Sequence, residues 1–275
     1  MKEILLKTEG LSKSFSSGGA LQHVLKNIDL ELYKGDFTVI MGASGAGKST
    51  LLYALSGMDT PTLGKITFGD KVISDLNSDG LAVFRREHCG FVFQQIYLID
   101  TMSVFDNVMA AGLLVNRGKT ELATVATKSA TRCRRPKATG DKAELIKRAK
   151  ELFAAVDIPE ETHKKFPTQI SGGEAQRVGI VRALINSPEI LFADEPTGAL
   201  NSQTGLDVLN TLTEFNEQGQ SVVMVTHDMR SARRGNRILY LKDGSILGEC
   251  DLGKYTPNDK ERHQKLSAFL AEMGW

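Results

Sequence analysis

In EILFADEPTGALN, residues 189–201, an apolar run from Ile190 to Ala193 meets two adjacent carboxylates, Asp194 and Glu195, and then Pro196. A short apolar run bounded by turn residues reads as a buried strand. Side-chain direction alternates along a strand, so two acids at its end point different ways. They are either a solvated strand end or two groups with separate tasks, one on a metal ion and one on a water molecule. A second stretch favours the latter. GASGAGKST, residues 42–50, fits G-x-x-x-x-G-K-[ST] and follows an apolar run, FTVIM. Its glycines, Gly42, Gly45 and Gly47, let the backbone curl so that N–H groups face phosphate oxygens. The rest of the cradle is Ala43, Ser44 and Ala46, and a helix beginning near Ser49 and Thr50 adds its positive end. Lys48 can reach the β- and γ-phosphates, and the Ser49 hydroxyl can ligate Mg²⁺. With a nucleoside triphosphate and Mg²⁺ in place, Asp194 is the natural partner of the metal, directly or through water. Glu195 then orients and deprotonates the water that attacks the γ-phosphate. His227 ends a further apolar run, VVMVTH, where a ring nitrogen can reach the γ-phosphate.

These groups need a scaffold that brings strand ends together. FTVIM (37–41), GFVFQQ (90–95), EILFA (189–193) and SVVMVTH (221–227) read as buried strands. STLLYALSG (49–57) reads as a helix ended by Gly57, and SGGEAQRVGIVRALINSP (171–188) as a helix capped by Ser171 and stopped by Pro188. Residues 141–158 place Leu145, Ala149, Leu152, Phe153 and Val156 at helical spacing. KITFGDKVI (65–73) and RILYLKDGSILGE (237–249) read as hairpins turning at Gly69-Asp70 and Asp243-Gly244. Near the C-terminus, Leu266, Phe269, Leu270 and Met273 share one helix face. Strands alternating with helices imply an α/β fold, with a mainly parallel sheet covered on both faces.

Composition narrows the setting. The chain has 275 residues, 41% hydrophobic, enough for one large domain or a core with a subdomain. Lys plus Arg is 34 against 33 for Asp plus Glu, so the net charge of +1 points to no nucleic-acid partner. Cys89, Cys133 and Cys250 are too far apart for a disulfide framework or a zinc motif, which suits a reducing cytosol. Residues 1–15 carry Glu and Lys where a signal peptide needs an apolar run, and no stretch approaches 18 apolar residues. Any membrane role is expected to run through a partner. Residues 117–142 are rich in Lys, Arg, Thr and Ala with a weak apolar pattern. They read as a solvated loop, or as a contact for anionic lipid or an acidic partner.

ISGGEAQRVGIVRAL (170–184) resembles the signature segment of ATP-binding cassette (ABC) ATPases, usually L-S-G-G-Q, and stands upstream of ILFADEP at that family's spacing. The resemblance covers about residues 3–250. It implies a P-loop NTPase (RecA-like) core with an antiparallel β subdomain and an inserted α-helical subdomain. The cassette is expected over 1–252, its helical part over about 96–186 with the basic insertion inside it, and a helical tail over 253–275. Gln94 takes the place of the Q-loop glutamine, with a catalytic and metal-binding role. Phe15 or a neighbour stacks on adenine. Ser171, Gly172 and Gly173 bind the γ-phosphate of ATP held by a second copy, so that two cassettes enclose two ATPs head to tail. The sequence departs from the family at Ile170, at Glu174 and at Asn201, which replaces the usual Asp in the loop after the carboxylates. Asn keeps the shape of that side chain and loses its charge.

MGASGAGKSTLLYALSGMDTPTLGKI, GFVFQQIYLIDTMSVFDNV and ADEPTGALNSQTG resemble the branch with macrolide-export, lipoprotein-releasing and bacitracin-resistance ATPases. That implies a bacterial ATPase working under a separate membrane permease, at the cytoplasmic face of the membrane. The YLIDTMSVFDNV phrase resembles the antimicrobial-peptide group, and the expected task is antimicrobial-peptide export or resistance, or work on a lipid-linked substrate. The alternative is a non-transport ATPase that regulates cell-wall hydrolysis or cell division.

Overall fold

The computed structural model describes residues 2–17, 20–122 and 142–275. The basic segment read over 117–142 therefore falls mostly outside the described residues.

Two sheets organise the chain. The first is antiparallel, in the order β2–β1–β4–β5, with β1 Ile4–Ser17, β2 Ala20–Tyr33, β4 Leu63–Phe68 and β5 Lys71–Val72. The second has the order β10–β9–β3–β8–β7–β6, with β3 Phe37–Met41, β6 Cys89–Phe93, β7 Ile190–Asp194, β8 Ser221–Thr226, β9 Arg237–Lys242 and β10 Ser245–Asp251. From β9 to β6 its strands run parallel, and β10 returns antiparallel along the edge. The helices are α1 Lys48–Leu55, α2 Ser78–His88, α3 Val104–Leu122, α4 Lys142–Ala155, α5 Gly172–Leu184, α6 Ser202–Glu217, α7 Met229–Ala232 and α8 Lys260–Glu272. Helices α3, α4 and α5 lie in the chain between β6 and β7.

The parallel strands are apolar throughout because both faces are covered. Ile40, Phe192, Val223 and Val225 face one core, with Leu51 and Leu55 of α1 and Leu6, Leu11, Ile28 and Leu32 of the antiparallel sheet. Their neighbours Val39, Met41, Leu191, Ala193, Val222 and Met224 face the other core, built from α3 to α6 and α8. Each strand thus splits its side chains between two cores, which fixes its register: a slip of one residue would exchange the faces.

The terminal helix is part of this core. Leu266 and Leu270 are buried in the cluster that holds Tyr240 and Cys250. Arg262, 4% exposed, donates to the carbonyls of Arg233, Leu252, Gly253, Lys254 and Gly235, and its guanidinium lies 5.6 Å from the ring centre of Tyr255. A buried cation is tolerated when its donors are satisfied in this way.

Most boundaries match the sequence reading. The helix expected to run to Pro188 ends instead at Leu184, with Ser187 at φ 53°. A left-handed residue, disfavoured for a side chain with a Cβ, closes the turn before the proline is reached. The helix read to residue 158 ends at Ala155 for the same reason, with Asp157 at φ 53°.

Candidate functional site

Four adjacent parallel strands end level. Met41 pairs with Thr226, Val225 with Asp194, and Asp194 with Phe93. The residues that follow are the glycine-rich loop after β3, His227 after β8, Glu195 after β7 and Gln94 after β6. Residues scattered over the sequence therefore meet along one sheet edge, where open α/β sheets bind ligands.

The loop from Gly42 to Gly47 turns from β3 into α1. A Cβ on Gly42 would stand 2.2 Å from the carbonyl oxygen of Leu241, a clash with rigid backbone that excludes any larger residue. Gly45 and Gly47 have φ of 79° and 100°, and nothing lies within 4 Å of the Cβ position at Gly45, so the loop's outer side is open. Lys48 is 7% exposed and folds back into the loop, donating to the carbonyls of Gly42 at 2.9 Å and Ala43 at 3.0 Å. Burial pushes its pKa down, opposed by the charges of Glu195 and Asp194. The Ser49 hydroxyl donates to Asp194 Oδ1 at 3.0 Å. Tyr53, one turn along α1, donates to Asp194 Oδ2 at 2.7 Å; burial first and this bond second push its pKa up to about 12.

Asp194 and Glu195 do diverge, for a reason beyond strand pleating. Glu195 has φ 43°, a left-handed conformation that costs a residue with a Cβ on the order of 1–3 kcal/mol. Its N–H reaches the Val225 carbonyl at 3.1 Å, so the turn is anchored to β8. Asp194 is left facing α1, while Glu195 Oε1 meets His227 Nδ1 at 2.9 Å. His227 is 60% exposed, so the pair contributes little to stability and matters for placement. A second bridge ties the same two loops: Thr197 Oγ1 lies 3.3 Å from Ser231 Oγ, and Ser231 donates through its N–H and hydroxyl to Asp228 Oδ2. Despite the opposing effect of burial, these bonds hold the Asp228 carboxyl below its usual range.

Other predicted residues lie further out. Gln94 is exposed, and its amide lies against the loop after Glu195: a Cβ on Gly198 would stand 2.9 Å from Gln94 Nε2. No hydrogen bond joins it to Ser49 or Asp194 among the described residues. Phe15 is 42% exposed on β1, with the Lys13 ammonium 4.9 Å from its ring centre. Its strand is near the loop through β2, since Lys13 pairs with Leu25, and Leu25 Cδ2 is 3.1 Å from the Cβ position of Gly47. Ser171 caps α5, as read from sequence, in a reciprocal box with Glu174: the Glu174 N–H donates to Ser171 Oγ at 3.2 Å, and the Ser171 N–H to Glu174 Oε2 at 2.8 Å. Gly172 and Gly173 pack on the start of α6, against Leu200 and Thr204, not on the chain's own phosphate loop. Asn201 caps α6 by accepting from the Thr204 N–H at 3.0 Å. Sequence reasoning missed Tyr53, Thr197, Ser231 and Asp228. Only Tyr53 had a signal, standing four residues after Ser49 on a helix read correctly.

The donor set suits a hard cation. Ser49 and Asp194 offer two oxygens, and no cluster of three or more His, Cys, Asp or Glu that could hold a metal occurs among the described residues. Mg²⁺ is commonly taken with one or two protein oxygens, the rest coming from substrate phosphate and water. The open, positive-φ loop above them fits a phosphate chain.

Comparisons with known proteins agree with this geometry. The family model described as ABC transporter matches residues 25–198. The macrolide export ATP-binding/permease protein MacB of Wolinella succinogenes is 39% identical over 98% of this chain, which spans 37% of that protein's length. The uncharacterized ABC transporter ATP-binding protein MJ0796 of Methanocaldococcus jannaschii is 37% identical over 96% of this chain and 99% of its own. A dimeric structure of that cassette in a post-hydrolysis state, bound to ADP and Pi, superposes with a TM-score of 0.75 over 90% of this chain and 98% of the other, at 37% identity. The structure of cbiO1 from Clostridium perfringens, part of the ABC transporter complex cbiONQ, gives 0.72 at 26% identity over 99% of this chain and 98% of that one.

Proposed function

The chain belongs to the ABC transporter family, whose ATP-binding domains hydrolyse ATP, and we propose that it is the ATPase subunit driving a bacterial membrane permease. The observation that carries this reading is the level ending of β3, β8, β7 and β6, which sets Lys48, Ser49, Asp194, Glu195 and His227 along one edge. In this reading the loop N–H groups and Lys48 bind the phosphates, Lys48 exchanging its two carbonyl partners for phosphate oxygens. Mg²⁺ would be held by Ser49 Oγ and Asp194 Oδ1, with Gln94 at the end of β6 as a further ligand. Bound Mg²⁺ neutralises charge on the β- and γ-phosphates. Among the described residues no hydrogen bond reaches Glu195 Oε2, and that oxygen accepts the proton of the attacking water. His227 fixes Glu195 through Oε1 and touches the γ-phosphate. Phe15 supplies the face for adenine.

The reading includes a second copy. Ser171, Gly172 and Gly173 at the start of α5 would cap the γ-phosphate of the ATP held by the other protomer; a relative solved as a dimer supports the pairing itself. The permease is proposed as the partner on a separate chain; relatives named as ATP-binding/permease proteins support a permease as the element driven. No helix among the described residues is long and apolar enough to cross a membrane. The reading puts the chain at the cytoplasmic face, attached through the permease. Export of an antimicrobial compound is the favoured task, given relatives named for macrolide export; a lipid-linked substrate is the variant of it.

Binding and turnover separate the roles. Lys48→Ala is expected to abolish tight binding of a fluorescent ATP analogue, because the buried cation on the phosphates is lost. His227→Ala is expected to bind the analogue within about twofold of wild type while phosphate release falls by on the order of 10²-fold. Equal loss of binding in both variants would contradict the assignment of His227.

A further inference from the structure

Asp194 has two carboxylate oxygens, and the chain engages both. Ser49 Oγ takes Oδ1 at 3.0 Å and Tyr53 Oη takes Oδ2 at 2.7 Å. Both hydroxyls come from α1, one turn apart, and therefore from one face of it. The Tyr53 ring packs against the core that holds Leu52 and Phe192, so the position of its hydroxyl is set by packing. The terminal torsion of an aspartate is soft, with broad preferences. A short charge-assisted O–H···O⁻ bond from an anchored ring is enough to stop it turning.

We propose that Tyr53 is a positioning residue for the divalent cation: its hydroxyl holds Asp194 Oδ2, so that Oδ1 stays turned toward Ser49 Oγ, where the cation is taken. This rests on Asp194 and Ser49 holding the cation as proposed above. Phenylalanine at this position keeps the ring and its packing but leaves the carboxylate free to rotate. The cost falls on the cation and not on the phosphates, which are bound by the loop and Lys48. Groups that orient a metal ligand from behind typically change metal affinity by roughly 10- to 100-fold when removed. The lower end is expected here, since Ser49 and the nucleotide phosphates remain.

The test is a titration of free Mg²⁺ against binding of a fluorescent ATP analogue, for wild type, Tyr53→Phe, Asp194→Asn and the double variant, each also measured in EDTA. The expected result is a roughly tenfold rise in half-saturating Mg²⁺ for Tyr53→Phe, with binding in EDTA unchanged. On the Asp194→Asn background, Tyr53→Phe adds no further shift, because the hydroxyl acts through that carboxylate. An unchanged Mg²⁺ dependence in Tyr53→Phe, beside a clear shift in Asp194→Asn, would overturn the role of Tyr53 and leave that of Asp194 standing. Equal weakening of binding with and without Mg²⁺ would reduce Tyr53 to packing and overturn the proposal. No shift in Asp194→Asn would remove the cation from Asp194, and the proposal would fall with it.

Discussion

Asn201 performs the capping task of its position without a charge. Its oxygen caps α6 through the Thr204 N–H at 3.0 Å, which any short acceptor can do. Asn201→Ala is expected to destabilise the fold by about 1 kcal/mol in urea unfolding, whereas Asn201→Asp matches wild type or exceeds it by a few tenths. A large loss in Asn201→Asp would mean that a nearby charge had selected the amide. The groups readable from sequence were those whose chemistry is announced by immediate neighbours: Lys48 and Ser49 by the glycines before them, Asp194 and Glu195 by the strand they end. Tyr53 was not readable as a partner of Asp194, since 141 residues separate them in the chain. The left-handed turn at Glu195 was equally hidden, because nothing in a glutamate favours φ 43°.

At the level of elements, α5 and α6 meet end to end through glycine. A Cβ on Gly173 would stand 2.0 Å from Thr204 Cγ2, whereas one on Gly172 would make an ordinary 3.5 Å contact with Leu200. Gly173→Ala is therefore expected to part the two helix starts and cost about 1–3 kcal/mol in thermal or urea unfolding. Gly172→Ala should unfold like wild type, and any loss of ATP-dependent pairing it causes would report on the exposed surface alone. Equal destabilisation by both would contradict the packing described. The strands around the phosphate loop were read well because short apolar runs bounded by glycine, proline and acids mark them. The pair β1 and β2 escaped. Its register shifts near Leu11 and Lys13, and Asn27 opposite has φ 48°, so the buried positions jump from Leu25 to Ile28 before resuming at Leu30 and Leu32. A bulge of this kind breaks the alternation by which a strand is recognised.

At the scale of the whole molecule, the proposed pairing of two copies rests on what one chain leaves open. The loop is open at Gly45, and the start of α5 is engaged with Glu174 and α6 of its own chain. In the proposed function, hydrolysis is a property of two copies, each closing the other's site, with Glu195 as the base. Glu195→Gln tests this most directly, because it keeps an acceptor for His227 and removes the proton acceptor for water. The decisive measurement is sedimentation of that variant with labelled ATP and Mg²⁺, followed by assay of the nucleotide in each species. The expected result is a stable dimer carrying uncleaved ATP, with turnover lowered on the order of 10²- to 10⁴-fold. A variant that stays monomeric with ATP bound, or that cleaves ATP near the wild-type rate, would contradict it.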